Sequence, residues 1–280
     1  MNMDPDEGHV AKIRSAGFFM KGVVYSLVGV LTFMAAFGLG GDITSTDGVI
    51  RFLLGLPLGK ILGAIVALGL LAYTLWRLYE MFFLPGFSSG SDKPAKKGFK
   101  RFRYFYSAVF YGLIAYSFAK PLIKDMKGQE HAGAPSGGNS EQKAALWELL
   151  SSDWGKYVIW ALAIIVAGQA IWQFKLAYSA KFMRKIDNYP DIKHEYDFIR
   201  KAGKIGYVAR GVVFGIISFF LIKVILQHNA DAYKGTEGAL QYLLSFSYGP
   251  YLLGATALGL IGYGVFNMMV ARHADLTTVN

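Results

Sequence analysis

Apolar runs long enough to cross a bilayer alternate with short polar stretches along most of the chain, and this alternation predicts helices that span a membrane. A helix needs about 20 mostly apolar residues to cross the hydrocarbon core, because every backbone polar group must be satisfied inside the segment. Six stretches meet that demand. Gly22 to Gly41, Tyr157 to Phe174 and Pro250 to Val270 carry no charge. Leu58 to Tyr79 is charged only at Lys60 and Arg77, Tyr104 to Ile123 is shortened by Lys120 and Pro121, and Tyr207 to Leu226 holds Arg210 and Lys223 near its ends. Long basic side chains at such places can snorkel to the interface. The first run is expected to be retained rather than cleaved as a signal peptide, since acidic Asp4, Asp6 and Glu7 precede it and it exceeds a typical signal core.

Composition sharpens this picture. Of 280 residues 54% are hydrophobic and 17% charged, against about 25% charged in soluble domains. An ordinary cytosolic protein and a disordered one are both disfavoured. With no cysteine there is no disulfide framework, thiol nucleophile or thiolate metal site. The net charge of +10 is unevenly placed. Lys93, Lys96, Lys97, Lys100, Arg101 and Arg103 fall between the second and third runs, and Lys175 to Lys204 contributes another basic group between the fourth and fifth. Cytoplasmic loops hold such an excess, so both termini are expected on the cytoplasmic side. The charge is then a topology signal and an attraction to anionic lipid, with membrane lipids as partners and no nucleic acid.

Internal repetition organises the rest. Gly17-Phe18-Phe19-Met20-Lys21-Gly22-Val23-Val24-Tyr25 matches Gly206-Tyr207-Val208-Ala209-Arg210-Gly211-Val212-Val213-Phe214. A weaker copy, Tyr106-Ser107-Ala108-Val109-Phe110-Tyr111, loses both glycines. Short amphipathic segments follow at Gly48 to Gly59, Ala144 to Gly155 and Gly238 to Gly249, too short to span and expected to lie at the outer surface. A second span comes after each, with Gly69 and Tyr73 matching Gly259 and Tyr263. The predicted fold is therefore all-α: a polytopic membrane helix bundle of six transmembrane helices in three parallel tandem repeats, with short interfacial helices. Its divisions are a tail at 1–12, unit 1 at 13–84, a linker at 85–98, unit 2 at 99–178, a linker at 179–198, unit 3 at 199–272 and a tail at 273–280. The copies would be related about an axis along the membrane normal.

This pattern resembles a bacterial membrane family known only as domain of unknown function 1206, whose members carry three two-span units with the same glycine-aromatic and basic-glycine-Val-Val-aromatic opening. The resemblance implies an integral protein of the inner (plasma) membrane with no established activity. It transfers no catalytic residues.

Candidate chemistry is sparse. The five histidines are scattered, and neither an HExxH pair nor a Walker loop occurs; no catalytic, metal or cofactor residue is assigned. Gly55, Gly59 and Gly63, and Gly211 with Gly215, are spaced for close helix approach, within the chain or in a homo-oligomer. Tyr73, Arg77 and Glu80 share one helix face, Gln169 and Gln173 take the aligned places in unit 2, and Tyr263 and Asn267 those in unit 3. Together they would form a polar ring, either a hydrogen-bonded plug or the lining of a ligand path. Lys21 and Arg210 are expected to touch lipid headgroups. Gly128 to Ser140 reads as a disordered external insertion, and Ala180 to Lys204 as a partly helical segment on the inner leaflet, or a docking site for a partner. A structural or accessory protein binding lipid or a membrane partner is favoured over a channel or transporter, and both over an enzyme.

Overall fold

The computed structural model describes residues 5–83, 94–126, 139–185 and 195–273, and no strand occurs among them. Unit 1 contains α1 (Pro5–Ala36), α2 (Thr46–Leu54) and α3 (Gly59–Phe83). Unit 2 contains α4 (Pro94–Met126), α5 (Asn139–Leu150) and α6 (Gly155–Ser179). Unit 3 contains α7 (Tyr196–Gln227), α8 (Thr236–Leu243) and α9 (Gly249–His273). By length and composition α1, α3, α6, α7 and α9 are apolar enough to cross a membrane. In α4 the expected span falls short of that measure. Its uncharged stretch, 104–119, is bracketed by Arg103 and Lys120 and covers about 24 Å at 1.5 Å per residue, less than the roughly 30 Å of a hydrocarbon core.

Several boundaries differ from the sequence reading. The first long helix stops at Ala36 rather than Gly41, because Gly38, Gly40 and Gly41 turn the chain with φ of 67°, 83° and 84°, values that side chains other than glycine seldom adopt. Helix α4 begins inside the expected 85–98 linker. Of the expected insertion 128–140, residues up to 138 lie outside the described residues, and Asn139 opens α5. On the stretch Ala180 to Lys204, a 3-10 turn (Lys181–Lys185) buries Phe182 and Met183 in the core, with Phe182 edge-on to Phe266 at 5.0 Å. Those two side chains therefore dock on the bundle instead of lying along a leaflet. Residues 186–194 lie outside the described residues, and α7 already starts at Tyr196.

The long helices follow a cyclic rule. The second long helix of each unit packs along the first of the next: α3 on α4, α6 on α7, and α9 on α1. Inside units 1 and 3 the two long helices also pack together, α1 on α3 and α7 on α9, whereas α4 and α6 do not pack along each other. Gly22 approaches Gly264 and Met268 of α9, and Gly211 approaches the Phe174 ring of α6, so these glycines serve contacts within the chain. Gly55 caps α2 and Gly59 opens α3, so the three-glycine strip Gly55–Gly59–Gly63 is a turn for most of its length. At one end of the bundle the short helices bury Val49, Ile50, Leu146, Ala239 and Leu240, and Arg51 of α2 reaches Glu237 of α8 at 3.7 Å.

Candidate functional site

Arg14, Phe18, Lys21 and Tyr25 recur on α1 at steps of four, three and four, so they share one face. Tyr207, Arg210 and Phe214 repeat that face on α7. The faces are turned inward: Arg14, Lys21, Arg77 and Arg210 retain only 5%, 5%, 9% and 8% of their exposure. Burying a cation away from water is costly unless it is paired, hydrogen-bonded or set against aromatic faces. The surroundings of each cation decide which of these compensates it.

Two glycines bring the compensating groups close. A Cβ on Gly17 would lie 2.6 Å from the Tyr73 backbone, and one on Gly206 would lie 2.6 Å from the Tyr263 backbone. In units 1 and 3 the second long helix is thereby drawn against the first. Phe18 meets Tyr73 edge-on at 5.2 Å, and Tyr207 meets Tyr263 in the same way at 5.3 Å. The basic residue one turn further then reaches the tyrosine hydroxyl: Lys21 Nζ donates to Tyr73 Oη at 3.4 Å, and Arg210 Nη1 donates to Tyr263 Oη. Units 1 and 3 thus build the same basic-tyrosine pair. At the aligned places in unit 2 stand Ser107 and Gln169, both half-buried, with no hydrogen bond between them among the described residues.

The two pairs meet at the centre. Lys21 Nζ lies 5.0 Å from the Tyr73 ring, 4.8 Å from Tyr111 and 5.1 Å from Tyr263, so rings from α3, α4 and α9 surround it. Arg210 lies over Tyr25 at 5.1 Å and Tyr263 at 4.4 Å. Tyr25 and Tyr111 bring their hydroxyls within 3.4 Å of each other. On the other side of Tyr73, Arg77 Nε donates to the same hydroxyl at 2.8 Å and pairs with Glu80. Arg14 sits over Trp76 at 5.0 Å. The result is a row of four buried cations threaded between tyrosines.

Compensation along this row is uneven. Glu80 carries the negative charge at Arg77 and acts on Arg14 at longer range. Arg210 has no salt-bridge partner among the described residues; its electrostatic neighbours are Tyr25, Tyr263, Tyr111 and Tyr207. Its Nε, and Nε and Nη1 of Arg14, have no hydrogen-bond partner among the described residues. Tyr106 of α4 lies within electrostatic range of both Arg210 and Tyr233. Tyr233 belongs to the connection between α7 and α8, where burial pushes its phenol up to about 12.

The expected polar ring is thus brought together in part. Tyr73, Arg77 and Glu80 form one linked group, and Tyr263 joins it through Lys21. Asn267 is buried but donates to the carbonyl of Tyr263 on its own helix. Gln173 is buried with Oε1 unpaired, and Gln169 is half-buried; among the described residues no hydrogen bond joins either to the tyrosines. Lys21 and Arg210 lie buried inside the bundle, because the Gly17 and Gly206 contacts seat them under Tyr73 and Tyr263. Sequence reasoning missed Arg14, Tyr25, Tyr106 and Tyr111. The recurrent face Arg14-Phe18-Lys21-Tyr25 was the available signal. No group of His, Asp and Glu able to hold a metal occurs among the described residues.

The domain described as a Domain of Unknown Function, DUF1206, matches the chain three times, at residues 16–83, 102–180 and 205–274. The chain belongs to the DUF1206 family. The three matches coincide with units 1, 2 and 3, so the DUF1206 unit is two long helices with a short one between them. A protein from Bacillus subtilis (strain 168), called only "Uncharacterized protein YxxB", is 29% identical over 271 residues, covering 96% of this chain and 92% of that protein. No solved structure matches.

Proposed function

We propose that this DUF1206 protein is a non-enzymatic, six-span membrane protein that holds an anionic group at the basic-tyrosine centre. Cyclic packing of α3 on α4, α6 on α7 and α9 on α1 supports six spans in three parallel units, and the basic residues between the units support cytoplasmic termini. The reading is carried by Arg210, a guanidinium buried among phenols, with no carboxylate partner and no partner for Nε among the described residues. A cation in that state inside a low-dielectric bundle attracts an anion, and phenol hydroxyls can donate to it. Purified protein in detergent should be stabilised by inorganic phosphate or sulfate beyond what chloride gives at equal ionic strength. Arg210→Gln should lose this protection. Equal melting in all three salts would remove the reading.

A second reading, a path for a small anion, is favoured by Tyr106, which lies within electrostatic range of both Arg210 and Tyr233 of the α7–α8 connection. Flux of anions into liposomes carrying the protein, abolished by substitution of Arg77 or Arg210, would support it. Liposomes no leakier than empty ones would dismiss it.

A further inference from the structure

The cyclic packing has one break. In units 1 and 3 the first and second long helices are closed on each other by Gly17 against Tyr73 and Gly206 against Tyr263. In unit 2 the corresponding helices, α4 and α6, do not pack along each other. Each instead leans on a neighbour: α4 on α3, and α6 on α7, where Ser218 Oγ donates to the carbonyl of Ala163 at 3.0 Å. The break opens onto α7 at a specific level. Gly211 of α7 faces Phe174 of α6, while its neighbour Arg210 has Tyr106 and Tyr111 of α4 within electrostatic range. Helices α6 and α4 thus flank Arg210 from two sides without packing along each other.

By the repeat register, the residues bordering the break at this depth are Ser107 on α4 and Gln169 on α6, the counterparts of Lys21–Tyr73 and Arg210–Tyr263. Both are polar and half-buried. One turn further along α6, Gln173 is buried, and its Oε1 has no hydrogen-bond partner among the described residues. Depth fits a lipid headgroup: Arg210 stands about 5 Å (three residues) inside the apolar run that begins at Tyr207, close to the interface on the side of the chain termini. A free anion would have to cross apolar surface to enter sideways; a headgroup drawn in with its chains still in the bilayer would not.

We infer that the break between α4 and α6 is a lateral portal through which the phosphate of an anionic membrane lipid reaches Arg210. The inference rests on the anion-binding reading above and names its ligand. Full-length protein is reconstituted with equal phosphatidylglycerol and phosphatidylcholine, and the phospholipid it retains is counted by native mass spectrometry. Preference for phosphatidylglycerol is expected. Ser107→Trp, which fills the portal but leaves the cations in place, should lower that retention about tenfold while protection by inorganic phosphate persists. Should Ser107→Trp not fold, Gln169→Trp fills the opposite wall. Arg210→Lys, which keeps the charge, should retain part of the preference, and Arg210→Gln should lose both lipid and phosphate. Equal retention of the two lipids, or unchanged retention in a folded Ser107→Trp, overturns the portal even if inorganic phosphate protects. Absence of both the lipid preference and phosphate protection overturns the anion-binding reading as well.

Discussion

Introducing one methyl group at Gly17 tests whether the basic-tyrosine centre depends on the close approach of α1 and α3. The Cβ of Gly17→Ala would stand 2.6 Å from Tyr73 Cα and 2.7 Å from its amide nitrogen, against 3.4 Å for the start of ordinary contact. Backbone atoms cannot rotate away as a side chain can, so the helices must part by about 0.8 Å. Overpacking of this kind costs about 1–3 kcal/mol. Alanine's better helix propensity would return about 1 kcal/mol in water, and less here, since a helix in a bilayer or micelle stays helical when its neighbours are lost. The expected net loss is about 1–2 kcal/mol. It should be accompanied by a weaker contact between Lys21 Nζ and Tyr73 Oη, already 3.4 Å apart. Gly206→Ala should behave alike, for its Cβ meets Tyr263 at the same 2.6 Å. Gly168 and Gly215 supply the contrast, because a Cβ at either meets nothing within 4 Å; alanine there should be neutral. The four variants can be compared by unfolding in mixed micelles with increasing denaturing detergent. If Gly17→Ala and Gly206→Ala unfold together with Gly215→Ala, glycine does not set the helix separation and the account of the centre fails.

Removing the carboxylate in Glu80→Ala leaves buried Arg77 and Arg14 uncompensated and should destabilise the protein by about 3 kcal/mol in the same unfolding assay, with Arg77→Leu/Glu80→Leu recovering much of the loss. By contrast, a double-mutant cycle on Arg51 and Glu237, whose side chains are about a third exposed at 3.7 Å, should give a coupling below about 1 kcal/mol. The Tyr233 phenol is raised in the folded state to about 12, from an ordinary value near 10, so the unfolded chain loses its proton first as pH rises. Stability should therefore fall from about pH 10 through pH 12, and Tyr233→Phe should remove that part of the slope, followed by melting at each pH. Because the chain has no cysteine, Ser152→Cys and a cysteine added at the C-terminus can be labelled with a membrane-impermeant maleimide; six spans put Ser152 outside and both termini inside. Labelling of the C-terminal cysteine from outside, with Ser152→Cys protected, would mean that α4 does not cross.

Much of the bundle was legible in the sequence because hydrocarbon imposes a rule on composition that local pattern reveals directly. The apolar runs fall mostly within the long helices, and the Gly17 and Gly206 motifs mark equivalent places in units 1 and 3. Burial of Lys21 and Arg210 was not legible. A basic residue near the end of an apolar run reads as a snorkelling one, and nothing local says that a tyrosine from a helix some 50 residues away will lie across it. The deciding quantity is the separation of two helices, which belongs to a pair of segments and not to either alone. Arg14 escaped for a related reason: it precedes the apolar run, so the pattern assigns it to water, yet α1 continues back to Pro5 and carries it onto the Trp76 ring.

Unit 2 illustrates how linked these features are. Its opening segment lacks both glycines and has Ser107 where the other units have Lys21 and Arg210, and its second helix has Gln169 where they have tyrosine. These are not independent losses. A basic side chain can be buried at this depth only if a neighbouring helix comes close enough to offer a hydroxyl and a ring, and that approach requires a glycine one turn earlier. Once α4 and α6 stand apart, a cation at position 107 would have no phenol to donate to, and a tyrosine at 169 would have no cation to receive. The same separation that removes the third basic-tyrosine pair gives Arg210 a side on which α4 and α6 do not pack along each other. Restoring the missing pair with Ser107→Lys and Gln169→Tyr therefore should not close unit 2 unless the glycine before them is restored too, since the charge follows from the helix contact rather than causing it.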